Sequence, residues 1–159
     1  MKKVLYPGSF DPPTYGHMNV VSQATEIFDE VIIAVMKNQS KKEQLFSIDE
    51  RVALLKEIYK NYQKVKVISG EGAAVDVALL KDCKTILRGL RTTTDFEYEL
   101  QLATINRKLS DKQLSTVCLF PDNEVQHISS SVVKELSSLD KDISEYVPPV
   151  VKQKMMERK

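Results

Sequence analysis

The sequence has few cysteines, almost no net charge and no long apolar run. Its two cysteines, Cys83 and Cys118, stand apart without metal-ligand spacing. This predicts buried thiols in a reducing compartment rather than a disulfide framework or a zinc site. With 23 basic and 22 acidic residues, the net charge is +1, which gives no electrostatic reason to bind nucleic acid or a membrane surface.

The apolar runs are too short to cross a membrane or to direct export. The longest, residues 31–36, is far below the roughly 20 residues of a spanning helix. After the basic start of the chain, the apolar residues stop at Tyr6, short of the roughly 7–15 that a signal peptide needs. We therefore expect a cytoplasmic protein with no membrane or nucleic-acid partner. The length, without repeats, predicts a single domain over residues 1–159.

Strand and helix patterns alternate along the chain. Apolar, β-branched runs predict strands at residues 3–6, 31–36, 65–68, 85–88 and 116–120. Between them, apolar residues at helical spacing predict helices, with capping boxes at Ser47 to Glu50 and Thr94 to Glu97 and a last helix at about 148–157. This order predicts an α/β fold, a Rossmann-like, doubly wound sheet of about five parallel strands with helices on both faces.

The segment between the first strand and the first helix has the most distinctive sequence. Residues 6–17 read Tyr-Pro-Gly-Ser-Phe-Asp-Pro-Pro-Thr-Tyr-Gly-His, and their glycines and prolines favour a tight, non-repetitive loop. The free N–H groups and positive dipole end of the following helix point at such a loop, and His17 lies where that helix begins. Spacing alone fits a structural turn as well as a phosphate site.

Other polar segments follow the carboxyl ends of the predicted strands, where open parallel sheets bind ligands. The second strand leads to residues 40–42 (Ser-Lys-Lys), the fourth to 88–91 (Arg-Gly-Leu-Arg) and the fifth to the serines at 129–131. Each alone fits a structural role, such as a solvated loop or a helix N-cap. Their convergence with the 6–17 loop favours one shared anionic pocket.

These segments resemble the bacterial phosphopantetheine adenylyltransferases over essentially the full chain. Gly8-x-Phe10-Asp11-Pro12, Thr14-x-Gly16-His17 and residues 128–134 (Ile-Ser-Ser-Ser-Val-Val-Lys) match the nucleotidyltransferase superfamily, and residues 40–42 and 88–99 match this family within it. The resemblance implies transfer of the adenylyl group of ATP, with Mg²⁺, to the phosphate of 4′-phosphopantetheine. The products would be dephospho-coenzyme A and pyrophosphate, in coenzyme A biosynthesis.

The resemblance also implies roles for individual residues. The catalytic residues would be His17, Lys41 and Arg91. The acceptor would be bound by Ser9, Lys41, Ala74, Arg88 and Asn106. ATP would be bound by Ser9, Phe10, His17, Gly89, Leu90, Arg91, Glu99, Val125, Gln126, His127, Ile128, Ser129, Ser130 and Ser131. No protein metal ligand is expected, since Mg²⁺ would be held mainly through the ATP phosphates.

One segment departs from the family, and two functional alternatives stay open. The family commonly has an aromatic residue and a serine where this chain has Val125-Gln126-His127, so we expect a less aromatic contact with adenine and a structural His127. A homohexamer and coenzyme A feedback inhibition are further family expectations. The alternatives are an adenylyltransferase for another phosphate acceptor, such as nicotinamide mononucleotide, and a non-catalytic nucleotide-binding or sensor module. Retention of His17, Lys41, Arg88 and Arg91 together favours the enzyme.

Overall fold

The computed structural model describes residues 1–37 and 43–159. Within them, five strands form a single parallel sheet in the order β3-β2-β1-β4-β5. The strands are β1 Lys3–Gly8, β2 Glu30–Met36, β3 Val65–Gly70, β4 Thr85–Gly89 and β5 Ser115–Leu119. The predicted parallel sheet of about five strands is confirmed.

Helices cover both faces of this sheet. They are α1 Tyr15–Ile27, α2 Ile48–Ile58, α3 Ala74–Leu80, α4 Thr93–Leu109, α5 Ser130–Ser138 and α6 Pro149–Met156. Because side chains alternate along a strand, Val4 packs with α1 and α2 in one core cluster, whereas Leu5 packs with α3 in another. The doubly wound arrangement is therefore confirmed. No helix in the described part of the chain is long and apolar enough to span a membrane.

The strand order reverses between β1 and β4, and this places the carboxyl ends of both strands at one crevice. Leu5 lies opposite Ile86 in the sheet, so Gly8 and Gly89 come to the same edge. The loop after β1 and the segment after β4 therefore meet at the topological switch point, as the sequence predicted.

A third core cluster lies beneath the loops at this edge. It joins Phe46, which precedes α2, to Ile128, which precedes α5, and to Val151 on α6. Burial of these apolar side chains fixes segments that are distant in sequence against one another. The C-terminal helix is thus part of the support for the crevice.

Two local predictions are corrected by the structure. The capping box of α4 is formed by Thr92 and Asp95 rather than by Thr94 and Glu97. Thr92 has extended backbone and accepts the Asp95 N–H, so the helix has already begun at Thr94. Cys83 is buried as predicted, whereas Cys118 on the edge strand β5 is only half-buried.

Candidate active site

Two adjoining hollows open at the switch point. The first hollow, of about 340 Å³, lies between the β1–α1 loop, the end of β4 and the start of α5. The second hollow, of about 930 Å³, lies between the ends of β1 and β2 and the start of α3. Four residues line both hollows, namely Pro7, Gly8, Ser9 and Arg88, and of these Ser9 and Arg88 have polar side chains. Two ligands bound side by side would therefore meet at these residues.

The first hollow brings together many of the residues predicted from the sequence. Its described lining contains cations, hydroxyls and backbone groups but no carboxylate, which suits a polyanion. The predicted residues that line it are Ser9, Phe10, His17, Arg88, Gly89, Arg91, Ile128, Ser129, Ser130 and Ser131. Tyr6, Thr14 and Pro121 also line it and were not predicted as site residues.

His17 is oriented by the residue that caps its own helix. The Thr14 N–H donates to His17 Nδ1 at 3.0 Å, while the His17 N–H donates to Thr14 Oγ1 at 3.3 Å. Because Nδ1 accepts a hydrogen bond, the neutral ring carries its hydrogen on Nε2. The imidazole also makes an edge-to-face contact with the ring of Phe10, with ring centroids 4.9 Å apart. His17 therefore offers a hydrogen-bond donor within a fixed ring orientation.

Residues 128–131, the serine segment, include the start of α5 and are tied directly to the β1–α1 loop. Ser130 Oγ donates to the Pro12 carbonyl at 2.8 Å, and Lys134 Nζ lies 3.4 Å from the buried carboxylate of Asp11. Ser129 caps α5 by accepting the Val132 N–H. The N-terminus of α5 is thus held against the loop, with its positive dipole end at the first hollow.

Gly16 explains why this contact can be so close. A Cβ at that position would lie 3.2 Å from the carbonyl oxygen of Ile128. The backbone of α1 and the serine segment therefore approach each other to a distance that a side chain would oppose.

Arg88 forms a fork with Glu99 at the boundary of the two hollows. Its Nε and Nη2 donate to the two carboxylate oxygens of Glu99 at 2.8 and 2.9 Å, and Nη1 donates to the Pro7 carbonyl at 3.0 Å. Burial opposes the charge of Arg88, but its hydrogen bonds and ion pair with Glu99 outweigh that effect and raise its pKa. Arg88 is therefore a fixed cation.

Glu99 belongs to α4, and its carboxylate contacts Arg88. It was predicted to line the ATP site, but it is buried, is bonded to Arg88 and lines neither hollow. Arg91, in contrast, lines the first hollow with its guanidinium 4.0 Å from the carboxylate of Asp95.

Tyr6 is a further residue of the first hollow. Burial raises the pKa of Tyr6 to about 12, so its hydroxyl keeps its proton at neutral pH.

Several predicted ATP-site residues lie outside both hollows. Leu90 is buried, and its N–H pairs with the Leu119 carbonyl. Gln126 donates to the carbonyl of Pro121, and His127 is exposed with its ring edge against Tyr146. Val125 instead lines a separate hollow along α1. The segment that departs from the family pattern thus lines neither hollow, but it contacts residues that line the first hollow: Gln126 bonds to Pro121, and the Val125 carbonyl accepts the Ile128 N–H.

The predicted acceptor residues are divided. Ala74 lines the second hollow at the start of α3, whereas Asn106, far along α4, lines neither hollow. Lys41, with its neighbours Ser40 and Lys42, lies outside the described residues.

Comparison with known proteins agrees with this geometry. Residues 5–136 match the family model described as cytidylyltransferase-like. A phosphopantetheine adenylyltransferase of Alkaliphilus metalliredigens is 44% identical over 158 residues, covering 99% of each chain. Proteins of the same name from Lachnoclostridium phytofermentans and Finegoldia magna are 47% and 44% identical, covering 93% and 98% of this chain and 90% and 95% of theirs.

Solved structures of low sequence identity share the fold. A Vibrio parahaemolyticus protein provisionally named nicotinate-nucleotide adenylyltransferase superposes with a TM-score of 0.65 at 19% identity, over 98% of this chain and 99% of that one. A lipopolysaccharide core biosynthesis protein of Thermoplasma volcanium gives 0.57 at 20% identity, over 77% and 97%. With the first hollow built from the superfamily loop and serine segment, and with relatives of one name matching almost end to end, the chain belongs to the phosphopantetheine adenylyltransferase family.

Proposed function

We propose that this protein transfers the adenylyl group of ATP to the phosphate of 4′-phosphopantetheine, giving dephospho-coenzyme A and pyrophosphate. The observation that carries the proposal is the pair of hollows that meet at Ser9 and Arg88. The first hollow, with His17 and the N-terminus of α5, suits a nucleoside triphosphate. The second, with Ala74, suits the acceptor. Relatives of 44–47% identity carry the name of this activity.

The chemistry needs no dedicated base. The second pKa of a phosphate monoester is about 6, so the acceptor phosphate is largely ionised at neutral pH. One of its oxygens attacks the α-phosphorus of ATP in line, and the bond from that phosphorus to the pyrophosphate oxygen breaks with its electron pair. Catalysis then consists of bringing two anions together and stabilising the charge that develops on the oxygens.

The described residues suit those tasks. His17 would donate its Nε2–H to an oxygen of the reacting phosphate, since Nδ1 is occupied by Thr14. The serines and N–H groups at the start of α5, with Arg91, would hold the phosphates that leave. Arg88 would hold the acceptor phosphate from its place between the hollows. Lys41 is proposed, by family resemblance alone, to bridge both reactants.

Magnesium is proposed to enter with ATP. Within residues 1–37 and 43–159, no three His, Cys, Asp or Glu side chains come together as a metal site. Asp11, the buried carboxylate beside the loop, already accepts the N–H groups of Leu45 and Phe46. We therefore propose that the phosphate oxygens of ATP supply most of the ligands of the ion. When bound, Mg²⁺ would neutralise charge on the triphosphate.

Self-association, feedback inhibition and location complete the proposal. In the 17-residue helix α4, only Glu99 is buried. Large apolar side chains on α4 are exposed, namely Phe96, Tyr98, Leu100, Ile105 and Leu109. Other copies of the chain would cover this surface in a homohexamer, and light scattering would test this by measuring the mass of the assembly.

Coenzyme A, which contains both the pantetheine arm and an adenine nucleotide, would inhibit the enzyme by filling both hollows. We place the enzyme in the cytoplasm.

The deciding experiment measures pyrophosphate release from ATP and Mg²⁺ with 4′-phosphopantetheine, nicotinamide mononucleotide and glycerol 3-phosphate in turn. Release with 4′-phosphopantetheine alone supports the proposal. Release with another acceptor instead would keep the reaction type and overturn the substrate. Binding of ATP without release in any mixture would make the protein a nucleotide-binding or sensor module.

A further inference from the structure

Arg51 is a buried arginine that no step of the proposed reaction uses. It lies on α2, and only 1% of its surface is exposed. Its Nε donates to the Phe46 and Ser47 carbonyls at 3.1 and 3.3 Å, and its Nη2 donates to Gln44 Oε1 at 3.2 Å. Its Nη1 reaches across to the carbonyl of Ser9 at 2.6 Å. The guanidinium thus joins the segment before α2 to the β1–α1 loop.

Asp11 reinforces the same junction from the loop side. Its two carboxylate oxygens accept the N–H groups of Leu45 and Phe46, each at 2.9 Å. Phe46 is therefore held at its N–H by Asp11 and at its carbonyl by Arg51. Burial lowers the pKa of Arg51, and the charge of Asp11 opposes that shift. Two buried charged side chains thus bond to the same short backbone segment, Arg51 through carbonyl groups and Asp11 through N–H groups, and together they fix it against the β1–α1 loop.

The bond to Ser9 fixes the direction of the next N–H. The peptide between Ser9 and Phe10 is trans, so its C=O and N–H point in opposite directions across one plane. The C=O points to Arg51 in the protein interior, and the Phe10 N–H therefore points the other way. Both Ser9 and Phe10 line the first hollow. The Phe10 N–H donates to no acceptor among the residues that the structure describes.

Phe10 also has a backbone conformation that needs external support. Its φ is +50°, in the left-handed region that residues other than glycine rarely adopt. Without a partner for the Ser9 carbonyl, the Ser9–Phe10 peptide could rotate and turn its N–H away from the hollow.

We propose that Arg51 is a positioning residue that holds the Ser9–Phe10 peptide so that the Phe10 N–H donates to a phosphate of the bound nucleotide. The inference rests on the proposed function for the identity of the nucleotide. A purely structural Arg51, serving only residues 44–47, is the competing explanation.

Substitution of Arg51 by lysine separates the two explanations. The Nζ of lysine takes the place of the arginine Cζ, one bond beyond Nε and one bond short of Nη1. It can therefore still reach the Phe46 and Ser47 carbonyls, and it keeps the charge near Asp11, but it falls short of the Ser9 carbonyl and of Gln44 Oε1. The amide of Phe10 responds to the first of these two losses. Arg158→Met is the matched control, because Arg158 packs on Phe46 and Glu50 from the surface without contacting Ser9.

The direct probe is the amide of Phe10 in NMR. The chain contains five phenylalanines, and Phe10 alone follows a serine. A deuterated protein labelled with ¹³C-carbonyl serine and ¹⁵N-phenylalanine therefore gives a single correlated amide signal. In the wild type and in Arg158→Met, we expect ATP with Mg²⁺ to move this amide proton downfield, as a hydrogen bond to an anion does. In Arg51→Lys, we expect less than about half of that shift.

Kinetics give the second readout. In Arg51→Lys, kcat for pyrophosphate release should fall about tenfold to a hundredfold, while the KM for 4′-phosphopantetheine changes less than about threefold. The inference is overturned if the Phe10 amide signal of the wild type does not move when ATP is added. It is also overturned if ATP moves this signal as far in Arg51→Lys as in the wild type. If the lysine variant yields no folded protein, the wild-type titration still tests the inference, because a Phe10 amide that does not shift with ATP overturns it. Absence of pyrophosphate release from the wild type would instead overturn the proposed function and leave the amide test standing.

Discussion

The backbone N–H of Thr14 donates to Nδ1 of His17 across 3.0 Å, and this bond selects the nitrogen that carries the hydrogen of the neutral ring. The bond belongs to a capping box in which His17 takes the place usually held by glutamate or glutamine. One side chain therefore both caps the start of α1 and lines the first hollow. These two roles can be separated by substitution.

We predict that His17→Asn keeps the helix cap and the stability of the protein but loses most of its catalytic activity. The asparagine Oδ1 can accept the Thr14 N–H, but nothing then occupies the place of Nε2. The melting temperature should stay near that of the wild type while kcat falls by about 10²-fold or more. His17→Ala should lose turnover to a similar extent and also some stability, since a lost cap costs about 1 kcal/mol.

Measuring ATP affinity in both His17 variants shows whether a loss of turnover comes from weaker ATP binding or from the chemical step. Because the serine segment and Arg91 would still hold the triphosphate, calorimetry should show an ATP affinity within a few-fold of the wild type. An equal loss of binding and turnover in either variant would refute the role assigned to His17.

The Arg88–Glu99 fork supports a second prediction. Glu99→Gln removes the negative charge and one acceptor while keeping the shape, so Arg88 is left without its counter-ion. Since the Arg88 side chain is 27% exposed, solvent offsets part of the cost, and we expect a loss of about 1–3 kcal/mol in the free energy of unfolding. The KM for 4′-phosphopantetheine should rise several-fold because the guanidinium loses one of its three hydrogen bonds and is held less firmly.

Urea unfolding and steady-state kinetics measure these two effects. Glu97→Gln is the control, since Glu97 is exposed on the same helix. A Glu99→Gln protein with wild-type stability and KM would show that the Pro7 carbonyl and one neutral acceptor at position 99 are enough to orient Arg88.

The sequence predicted those features whose signal is local. Apolar runs marked the five strands, and the serines marked the start of α5. The choice between Thr92 and Thr94 as the cap of α4 could not be made, because both are followed three residues later by an acid. The helix begins at the earlier one.

The sequence pattern could not predict the direction of a side chain or its contacts with residues far away in the sequence. Glu99 was expected to line the ATP site, and nothing in the sequence indicated its bond to Arg88, eleven residues away and on another element. The bond from Arg51 to Ser9 spans 42 residues, and no periodicity records it. Resemblance transfers the position of a residue in a motif, whereas only the packed structure tells which hollow its side chain lines.

Gly16 gives a third prediction. Gly16→Ala would place a Cβ 3.2 Å from the Ile128 carbonyl, so the serine segment must shift by a few tenths of an ångström. We expect ATP affinity to weaken several-fold, measured by calorimetry, because the N-terminus of α5 moves with that segment. Glu26→Ala, at an exposed position of the same helix, is the control for a change in helix propensity. Unchanged ATP affinity in Gly16→Ala would show that the close approach is not needed for binding.

A fourth prediction concerns acid stability and Glu50. The carboxylate of Glu50 accepts the Ser47 N–H at 2.8 Å and contacts Arg158, with Lys154 Nζ 3.9 Å away. The backbone hydrogen bond from Ser47, followed by the bond from Arg158, lowers the pKa of Glu50 below the ordinary value of 4.5. A carboxyl group with a lowered folded-state pKa stabilises the protein above its unfolded pKa, and this contribution is lost as pH falls through the folded-state pKa.

Glu50→Gln keeps an acceptor for Ser47 and removes the charge. At about pH 7, its melting temperature should lie about 1–3 °C below that of the wild type, as expected for a partly exposed pair. The difference should shrink as the pH falls from about 4.5 through the lower folded-state pKa, because the wild-type carboxyl then becomes neutral too. Glu145→Gln, at an exposed position between α5 and α6, should show no such trend. A difference that stays constant down to low pH would mean that the carboxamide perturbs packing and that the charge of Glu50 does not hold α6 to α2.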